Sequence, residues 1–165
     1  MMITLTGFMG SGKTTVGKVL ADFLGCPFMA LDDLIVKKAG KSIPEIFAQD
    51  GEPAFRQLEA RLLRQTVEKY AESTVVLALG GGVVLAPASA SLLHEKTVCI
   101  YLRATLDTLL GRLAGETAGR PLADDSLAER LASREPIYEE TAHVIIDTDG
   151  LTPDEVADEI IISAL

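Results

Sequence analysis

A glycine-rich segment near the amino terminus has the residue types and the spacing needed to hold phosphate groups. Residues 7–14 read G-F-M-G-S-G-K-T and fit the pattern G-x-x-x-x-G-K-T. Glycines let the backbone curl so that successive N–H groups converge on phosphate oxygens. Lys13 can reach the outer phosphates of a nucleotide, and the Thr14 hydroxyl suits a Mg²⁺ ligand. The predicted nucleotide-binding residues of this segment are Gly10, Ser11, Gly12, Lys13, Thr14 and Thr15.

The residues on either side strengthen this interpretation of the segment as a P-loop. Ile3–Leu5 is apolar and β-prone, which predicts a strand directly before it. Apolar residues then recur at helical spacing, which predicts an amphipathic helix ending near Leu24. The apolar positions of this helix are Val16, Val19, Leu20, Phe23 and Leu24. A P-loop requires a strand before the glycine loop and a helix after it. A chance glycine-rich turn has no such requirement, so this context favours the P-loop.

Strand and helix patterns alternate along the rest of the chain. Further strands are predicted at residues 28–31, 75–79, 98–102 and 144–146. This alternation predicts an α/β fold with a doubly wound parallel sheet and helices on both faces. Ligands of such sheets bind beyond the carboxyl ends of the strands. We therefore expect the P-loop, Asp32 after the second strand and Gly80–Gly82 after the third to lie close together.

Two charged positions have competing interpretations from spacing alone. Asp32 and Asp33 follow the second strand, where a carboxylate either caps the next helix or serves the chemistry. Arg56 lies beside Phe55, off the apolar stripe of a helix predicted over residues 54–70. Spacing alone favours a solvated surface arginine at position 56.

Residues 114–125 contain two glycines, a proline and Arg120, and they lack apolar periodicity. We predict a mobile loop, and loops of this length are uncommon unless they are functional. A P-loop, a carboxylate that can accept a proton and an arginine on a closing loop together indicate phosphoryl transfer. Closure of the loop would also exclude water, which competes as an acceptor.

Length and composition narrow the class of protein. The 165 residues suffice for a single domain, and the formal net charge of −9 argues against a nucleic-acid partner. No apolar run is long enough for a membrane span, and no signal peptide is apparent, so we expect a cytoplasmic protein. Cys26 and Cys99 are far apart and are expected to be reduced thiols. His94 is expected to be solvated, and His143 has no predicted partner.

Five segments in a fixed order carry a family resemblance: residues 7–17, Asp50–Arg56 with Glu59, Gly80–Gly82, Arg120–Leu122 and Arg134–Tyr138. Together they resemble the shikimate kinases, which are nucleoside-monophosphate-kinase-like P-loop enzymes, and the resemblance covers nearly the whole chain. It implies a three-layer αβα domain over residues 1–165 with a five-stranded parallel sheet of order 2-3-1-4-5. It also implies a substrate-binding segment at about residues 32–60 and a lid at about residues 114–125.

The resemblance further implies the reaction and its participants. The enzyme would transfer the ATP γ-phosphate to the 3-hydroxyl of shikimate, giving 3-phosphoshikimate and ADP, with Mg²⁺ as cofactor. A monomer acting on these two small molecules is expected, with no nucleic acid or membrane partner. Lys13, Asp32 and Arg120 would be the catalytic residues, and Thr14 would ligate the metal. Arg120 on the lid would touch the ATP phosphates, and Arg112 would stack on the adenine.

The substrate site implied by the resemblance combines a carboxylate, two arginines and glycine backbone. Asp32 would bind ring hydroxyls of shikimate and act as the base for the attacking hydroxyl, or lie near it. Arg56 and Arg134 would bind the shikimate carboxylate, for which the planar guanidinium is suited. Gly80, Gly81 and Gly82 would line the same pocket.

One position departs from the family pattern. The family usually has Asp-x-Asp at the end of the second strand, and this chain has Ala30 at the first of these positions. The missing carboxylate would weaken support of Mg²⁺ or of the attacking hydroxyl without affecting the substrate pocket. Asp33 is not expected to replace it, because its side chain should point elsewhere.

Two rival functions remain open at this point. A different small-molecule kinase of the same class, such as a gluconate kinase, would keep the P-loop but need another acceptor pocket. A nucleotide-binding regulatory module without catalysis is motivated by Ala30 but opposed by Lys13, Asp32 and Arg120.

Overall fold

The computed structural model describes residues 1–116 and 125–165 and contains one five-stranded parallel sheet. The strand order is β2-β3-β1-β4-β5, which confirms the expected topology. The strands are β1 (Met2–Thr6), β2 (Phe28–Ala30), β3 (Val75–Ala78), β4 (Val98–Arg103) and β5 (Val144–Asp147). In the centre of the sheet Leu5 of β1 pairs with Ala78 of β3 on one side and with Ile100 of β4 on the other. The carboxyl ends of these strands therefore share one edge.

Helices follow the strands and cover both faces of the sheet. They are α1 (Lys13–Leu24), α2 (Leu31–Ala39), α3 (Ile43–Asp50), α4 (Glu52–Lys69), α5 (Pro87–Lys96), α6 (Leu106–Glu116), α7 (Asp125–Thr141) and α8 (Pro153–Ala164), with a short 3₁₀ helix at Val83–Leu85. Among the helices of the described residues, none has both the length and the apolar character that crossing a bilayer requires. Capping boxes begin α3 at Ser42 and α8 at Thr152.

Each face of the sheet has its own hydrophobic core. Ile3 and Leu5 of β1 pack with α1 and α8, whereas Met2 contributes to the core under α2, α4, α5 and α7. This division follows from the two-residue period of a strand, which sends alternate side chains to opposite faces. Gly17 on α1 lets the helix approach the sheet, because a Cβ there would lie 2.5 Å from the Phe28 ring. The two layers of helices thus hold the site-bearing edge of the sheet from both sides.

Three local predictions were wrong. Leu31 begins α2 rather than ending a strand, because β2 pairs with β3 only as far as Ala30. Phe23 is 69% exposed, since the buried stripe of α1 runs through Val16, Leu20 and Ala21. The predicted loop began too early, because α6 continues to Glu116. The rest of that loop, including Arg120, lies outside the described residues.

The two histidines contact each other across the ends of α5 and β5. Their rings are stacked with centroids 4.5 Å apart. His143 Nδ1 accepts the backbone N–H of Cys99 at 3.0 Å, and its Nε2 lies 2.9 Å from the carbonyl oxygen of His94. His94 is exposed, as predicted, but His143 has partners that spacing did not reveal. They arise from contacts between elements distant in sequence, which local patterns do not encode.

Candidate active site

The P-loop joins β1 to α1 in the geometry of an anion site. Gly10 and Gly12 have φ angles of 79° and 93°, a region that side chains with a Cβ rarely adopt. The Ser11 N–H donates to the Phe8 carbonyl at 3.1 Å, which closes the loop as a tight turn. Helix α1 begins at Lys13 with no acidic residue in its first turn. The positive end of its dipole is therefore available to an anion.

Lys13 lies across this loop and is partly buried. Its Nζ donates to the carbonyl oxygens of Gly7 at 2.7 Å and Phe8 at 3.0 Å. Burial lowers the pKa of Lys13 to about 8, Arg134 acts in the same direction, and Asp32 opposes the shift. Lys13 thus interacts electrostatically with two residues on other elements. The structure brings these three predicted site residues together.

Asp32 lies in the first turn of α2, and the capping interpretation is wrong for it. The N-cap of α2 is Ala30, and no side chain caps the helix. The surrounding protein removes water from the Asp32 carboxylate and raises its pKa, Asp33 adds to the increase, and Lys13 and Arg56 oppose it. A carboxylate with a raised pKa is a better proton acceptor.

Asp32 and the P-loop open onto one cavity of about 370 Å³. Its lining residues are Met9, Lys13, Thr14, Ala30, Asp32, Asp33, Ala78, Leu79, Gly80 and Gly81. Asp33 borders this cavity together with Asp32, and whether its carboxylate can replace the one missing at position 30 stays a prediction. Both residues are in the first turn of α2, whose amino-terminal end borders the cavity. Ala30 also lines it, so a carboxylate at position 30 would face the same space.

The glycine triplet packs directly against side chains that are predicted to bind the substrate. A Cβ on Gly80 would lie 3.2 Å from Asp32 Oδ1 and 3.3 Å from Glu59 Oε2. A Cβ on Gly82 would lie 2.5 Å from both Nη1 and Nη2 of Arg56, which is closer than real contacts allow. A side chain at position 82 would therefore displace the Arg56 guanidinium from its present position against the triplet.

Arg56 is held in place by Glu59, a buried acid to which sequence spacing assigned no role. Its Nη1 donates to Glu59 Oε1 at 2.8 Å, and Glu59 is only 4% exposed. Burial raises the pKa of Glu59, while the hydrogen bond and charge of Arg56 lower it. The available signal was a glutamate on the buried stripe of α4, three residues after an arginine. The Arg56 side chain is 30% exposed, so the predicted free surface residue is in fact a positioned one.

Arg134 reaches the same edge from α7. Its Cζ lies 5.8 Å from the centre of the Phe8 ring, and its Nη1 lies 3.6 Å from a Cβ position on Gly81. Arg134 and Arg56 thus approach neighbouring residues of the triplet from different helices. Two guanidiniums beside glycine backbone can bind a carboxylate.

Arg112 bridges the P-loop and the segment after β5. Its Nη1 donates to the Gly10 carbonyl at 3.3 Å and its Nη2 to the Thr148 carbonyl at 3.3 Å. Stacking of Arg112 on adenine stays a prediction, as does the role of Arg120. Thr15 is exposed in the first turn of α1 and does not line the cavity.

The residues around the cavity fit a Mg²⁺ ion that arrives with nucleotide phosphates. Within the described residues no group of three or more acidic, histidine or cysteine side chains could hold a metal by itself. Mg²⁺ commonly uses one or two protein oxygens together with phosphates and water. Thr14, Asp32 and Asp33 border the same space, and their hydroxyl and carboxylate groups are the types of ligand that meet this requirement.

Comparisons with known proteins agree with this arrangement. A family model described as "Shikimate kinase" matches residues 9–164. A shikimate kinase from Enterococcus faecalis is 42% identical over 164 residues, covering 96% of this chain and 95% of that protein. The structure of shikimate kinase from Acinetobacter baumannii in complex with shikimate superposes with a TM-score of 0.85 at 32% identity, covering 97% of this chain and 90% of that one. The structure of the Aquifex aeolicus shikimate kinase gives a TM-score of 0.87 at 32% identity, and the match covers 99% of this chain and 95% of that one.

Proposed function

The chain belongs to the shikimate kinase family, and from that premise we propose how its residues transfer a phosphoryl group from ATP to shikimate. The reaction phosphorylates shikimate in aromatic biosynthesis. One observation carries the proposal for the residues: a phosphate-binding loop, a carboxylate of raised pKa and two guanidiniums share one edge of the sheet. That combination suits a hydroxyl acceptor that also bears a carboxylate.

ATP occupies the P-loop side of the site in this proposal. The loop amides, the start of α1 and Lys13 bind the phosphates. Arg120 also touches the phosphates, and Arg112 stacks on the adenine. Thr14, supported by Asp32 or Asp33, would hold Mg²⁺, and the ion would neutralise charge on the phosphates. We expect a cytoplasmic monomer without a nucleic-acid or membrane partner.

Shikimate occupies the side formed by α2, α4, α7 and the glycine triplet. Arg56 and Arg134 bind its carboxylate, which fixes the ring with a hydroxyl toward Asp32. Asp32 accepts or orients the proton of that hydroxyl as its oxygen attacks the γ-phosphorus. Lys13, close enough to Asp32 to alter its pKa, stabilises the negative charge on the phosphoryl oxygens. Positioning and charge stabilisation supply most of the catalysis in such transfers.

A coupled ADP-release assay with shikimate, gluconate or no acceptor tests the proposal. We expect ADP release only with shikimate, because gluconate lacks the ring that places a hydroxyl at Asp32 while its carboxylate is bound. Turnover with gluconate alone would indicate the rival small-molecule kinase. Nucleotide binding without turnover on either acceptor would indicate a regulatory module.

The burial of Lys13 predicts a pH dependence of ATP use. We expect kcat/KM for ATP to fall as the pH rises through about 8, because the free enzyme loses the Lys13 proton there. A neutral amine no longer attracts phosphates. In Lys13→Arg the remaining activity should lack this alkaline limb, since guanidinium stays charged. An identical limb in both proteins would assign it to another group.

Replacing Ala30 with aspartate should increase the affinity of the site for Mg²⁺. In Ala30→Asp we expect the Mg²⁺ concentration at half-maximal rate to fall, because an added carboxylate faces the cavity that holds Thr14. Ala30→Asn is the matched control of equal size without charge, and it should not improve metal affinity. Unchanged affinity and rate in Ala30→Asp would show that the missing carboxylate has no consequence here.

A further inference from the structure

Tyr138 ties α7 to the glycine triplet through a buried hydroxyl. The residue has 0% exposure, and its hydroxyl donates to the Gly81 carbonyl at 2.6 Å. It follows Arg134 by four residues, so the two side chains lie on the same face of the helix. A Cβ on Gly81 would be 3.6 Å from the Tyr138 hydroxyl and 3.6 Å from Arg134 Nη1. One helical turn therefore places both groups against Gly81.

The Gly81 carbonyl that Tyr138 holds belongs to the Gly81–Gly82 peptide. This peptide lies between Arg134 and Arg56. Arg134 approaches Gly81 and Arg56 approaches Gly82. The described part of the chain contains no cis peptide, and in a trans peptide the N–H points opposite to the carbonyl. Fixing the Gly81 oxygen therefore fixes the direction of the Gly82 N–H.

A longer hydrogen bond closes the turn around this peptide but does not fix its direction, because type I and type II turns share that bond and differ in the orientation of the central peptide. Strand β3 ends at Ala78, and the Gly80 and Gly82 carbonyls accept from Val83 and Leu85 at 3.3 and 3.2 Å. Among the described residues, only Tyr138 donates to the Gly81 carbonyl. Three consecutive glycines have the greatest backbone freedom, so one short hydrogen bond has a large effect on their conformation.

The hydroxyl is a permanent donor under ordinary conditions. Burial raises the pKa of Tyr138, and the positive charge and hydrogen bonding of Arg134 only partly offset this. The ring packs on Tyr101 with centroids 5.0 Å apart, which fixes the direction of the hydroxyl.

We propose that Tyr138 is a positioning residue for shikimate, whose hydroxyl holds the Gly81–Gly82 peptide so that the Gly82 N–H joins Arg56 and Arg134 in binding the substrate carboxylate. The inference rests on the proposed function of those arginines. It assigns to the hydroxyl a role in affinity for the acceptor that is separate from packing of the ring.

Tyr138→Phe removes the hydroxyl and keeps the ring. We expect the shikimate KM to rise about tenfold, because the buried Gly81 carbonyl loses its partner and the peptide is no longer held. The KM for ATP should stay within about twofold, since no part of the P-loop depends on the hydroxyl. Tyr101→Phe is the matched control in the same aromatic pair and should change neither KM. A lower Tm with both KM values unchanged, or an equal rise in both, would overturn the proposal.

A second measurement needs no variant. In amide NMR spectra of the unmodified protein, saturating shikimate should shift the Gly82 N–H resonance and slow its exchange with solvent. A Gly82 resonance that stays in place while shikimate shifts other resonances would overturn the proposal. Failure of the proposed function is distinguishable, because the unmodified protein would then show no shikimate-dependent turnover at all.

Discussion

Asp32→Asn should reduce kcat by about 10²- to 10⁴-fold, because the amide cannot accept the proton of the attacking hydroxyl. The amide has nearly the same size, and Asp32 does not cap α2, so the fold should persist. Affinity for ADP, measured by calorimetry, should remain nearly intact because the P-loop is unchanged. Turnover close to that of the unmodified protein would show that Asp32 is neither the base nor its orienting group.

The neighbouring acid provides the matched control. Asp33→Asn removes a carboxylate from the same cavity and should cost far less turnover than Asp32→Asn. The pH profile adds a second criterion. Because the folded protein raises the pKa of Asp32, kcat/KM for shikimate should fall with decreasing pH through a value above the ordinary aspartate pKa of about 3.9. That acid limb should be missing from the residual activity of Asp32→Asn.

Arg134→Ala should raise the shikimate KM by about 10- to 100-fold, because a charge-assisted hydrogen-bond partner of the carboxylate is lost. The ATP KM should change much less. Arg134 also helps to lower the pKa of Lys13, so the alkaline limb for ATP should move to higher pH in this variant. Steady-state kinetics with each substrate varied in turn measure both effects.

Arg130→Ala is the control for Arg134→Ala. Arg130 lies one turn earlier on α7 and is exposed, and no contact to the P-loop, Asp32 or the glycine triplet is found for it among the described residues, so its removal tests the effect of helix charge. It should leave both KM values unchanged. Equal increases of the shikimate and ATP KM in Arg134→Ala would mean that this arginine does not bind the acceptor carboxylate.

The glycine loop and the alternation of elements were predictable because their signals are local. Spacing identifies a P-loop, and parallel topology then places Asp32 and Gly80–Gly82 at its edge. Strand order and the roles of Arg56 and Arg134 came from resemblance to a family, since spacing alone made Arg56 a surface residue. The structure shows its guanidinium against Gly82 and its partner Glu59 buried.

Other features could not be predicted because they depend on contacts between distant elements. The Tyr138 hydroxyl donates a hydrogen bond to the Gly81 carbonyl, 57 residues away in the sequence. The stacked rings of His94 and His143 connect the end of α5 with the start of β5. The place of Asp32 and Asp33 in the first turn of α2 depends on β2 ending at Ala30, one residue before the end of the strand predicted at residues 28–31. Arg120 lies outside the described residues, and its role stays a prediction.

A crystal structure of the protein with shikimate and MgADP would show directly how the acceptor is bound. We expect electron density for shikimate with its carboxylate between the guanidiniums of Arg56 and Arg134, beside the Gly81–Gly82 peptide. One ring hydroxyl should lie within hydrogen-bond distance of Asp32, facing the nucleotide. A carboxylate bound away from both arginines, or a ring with no hydroxyl near Asp32, would contradict this expectation.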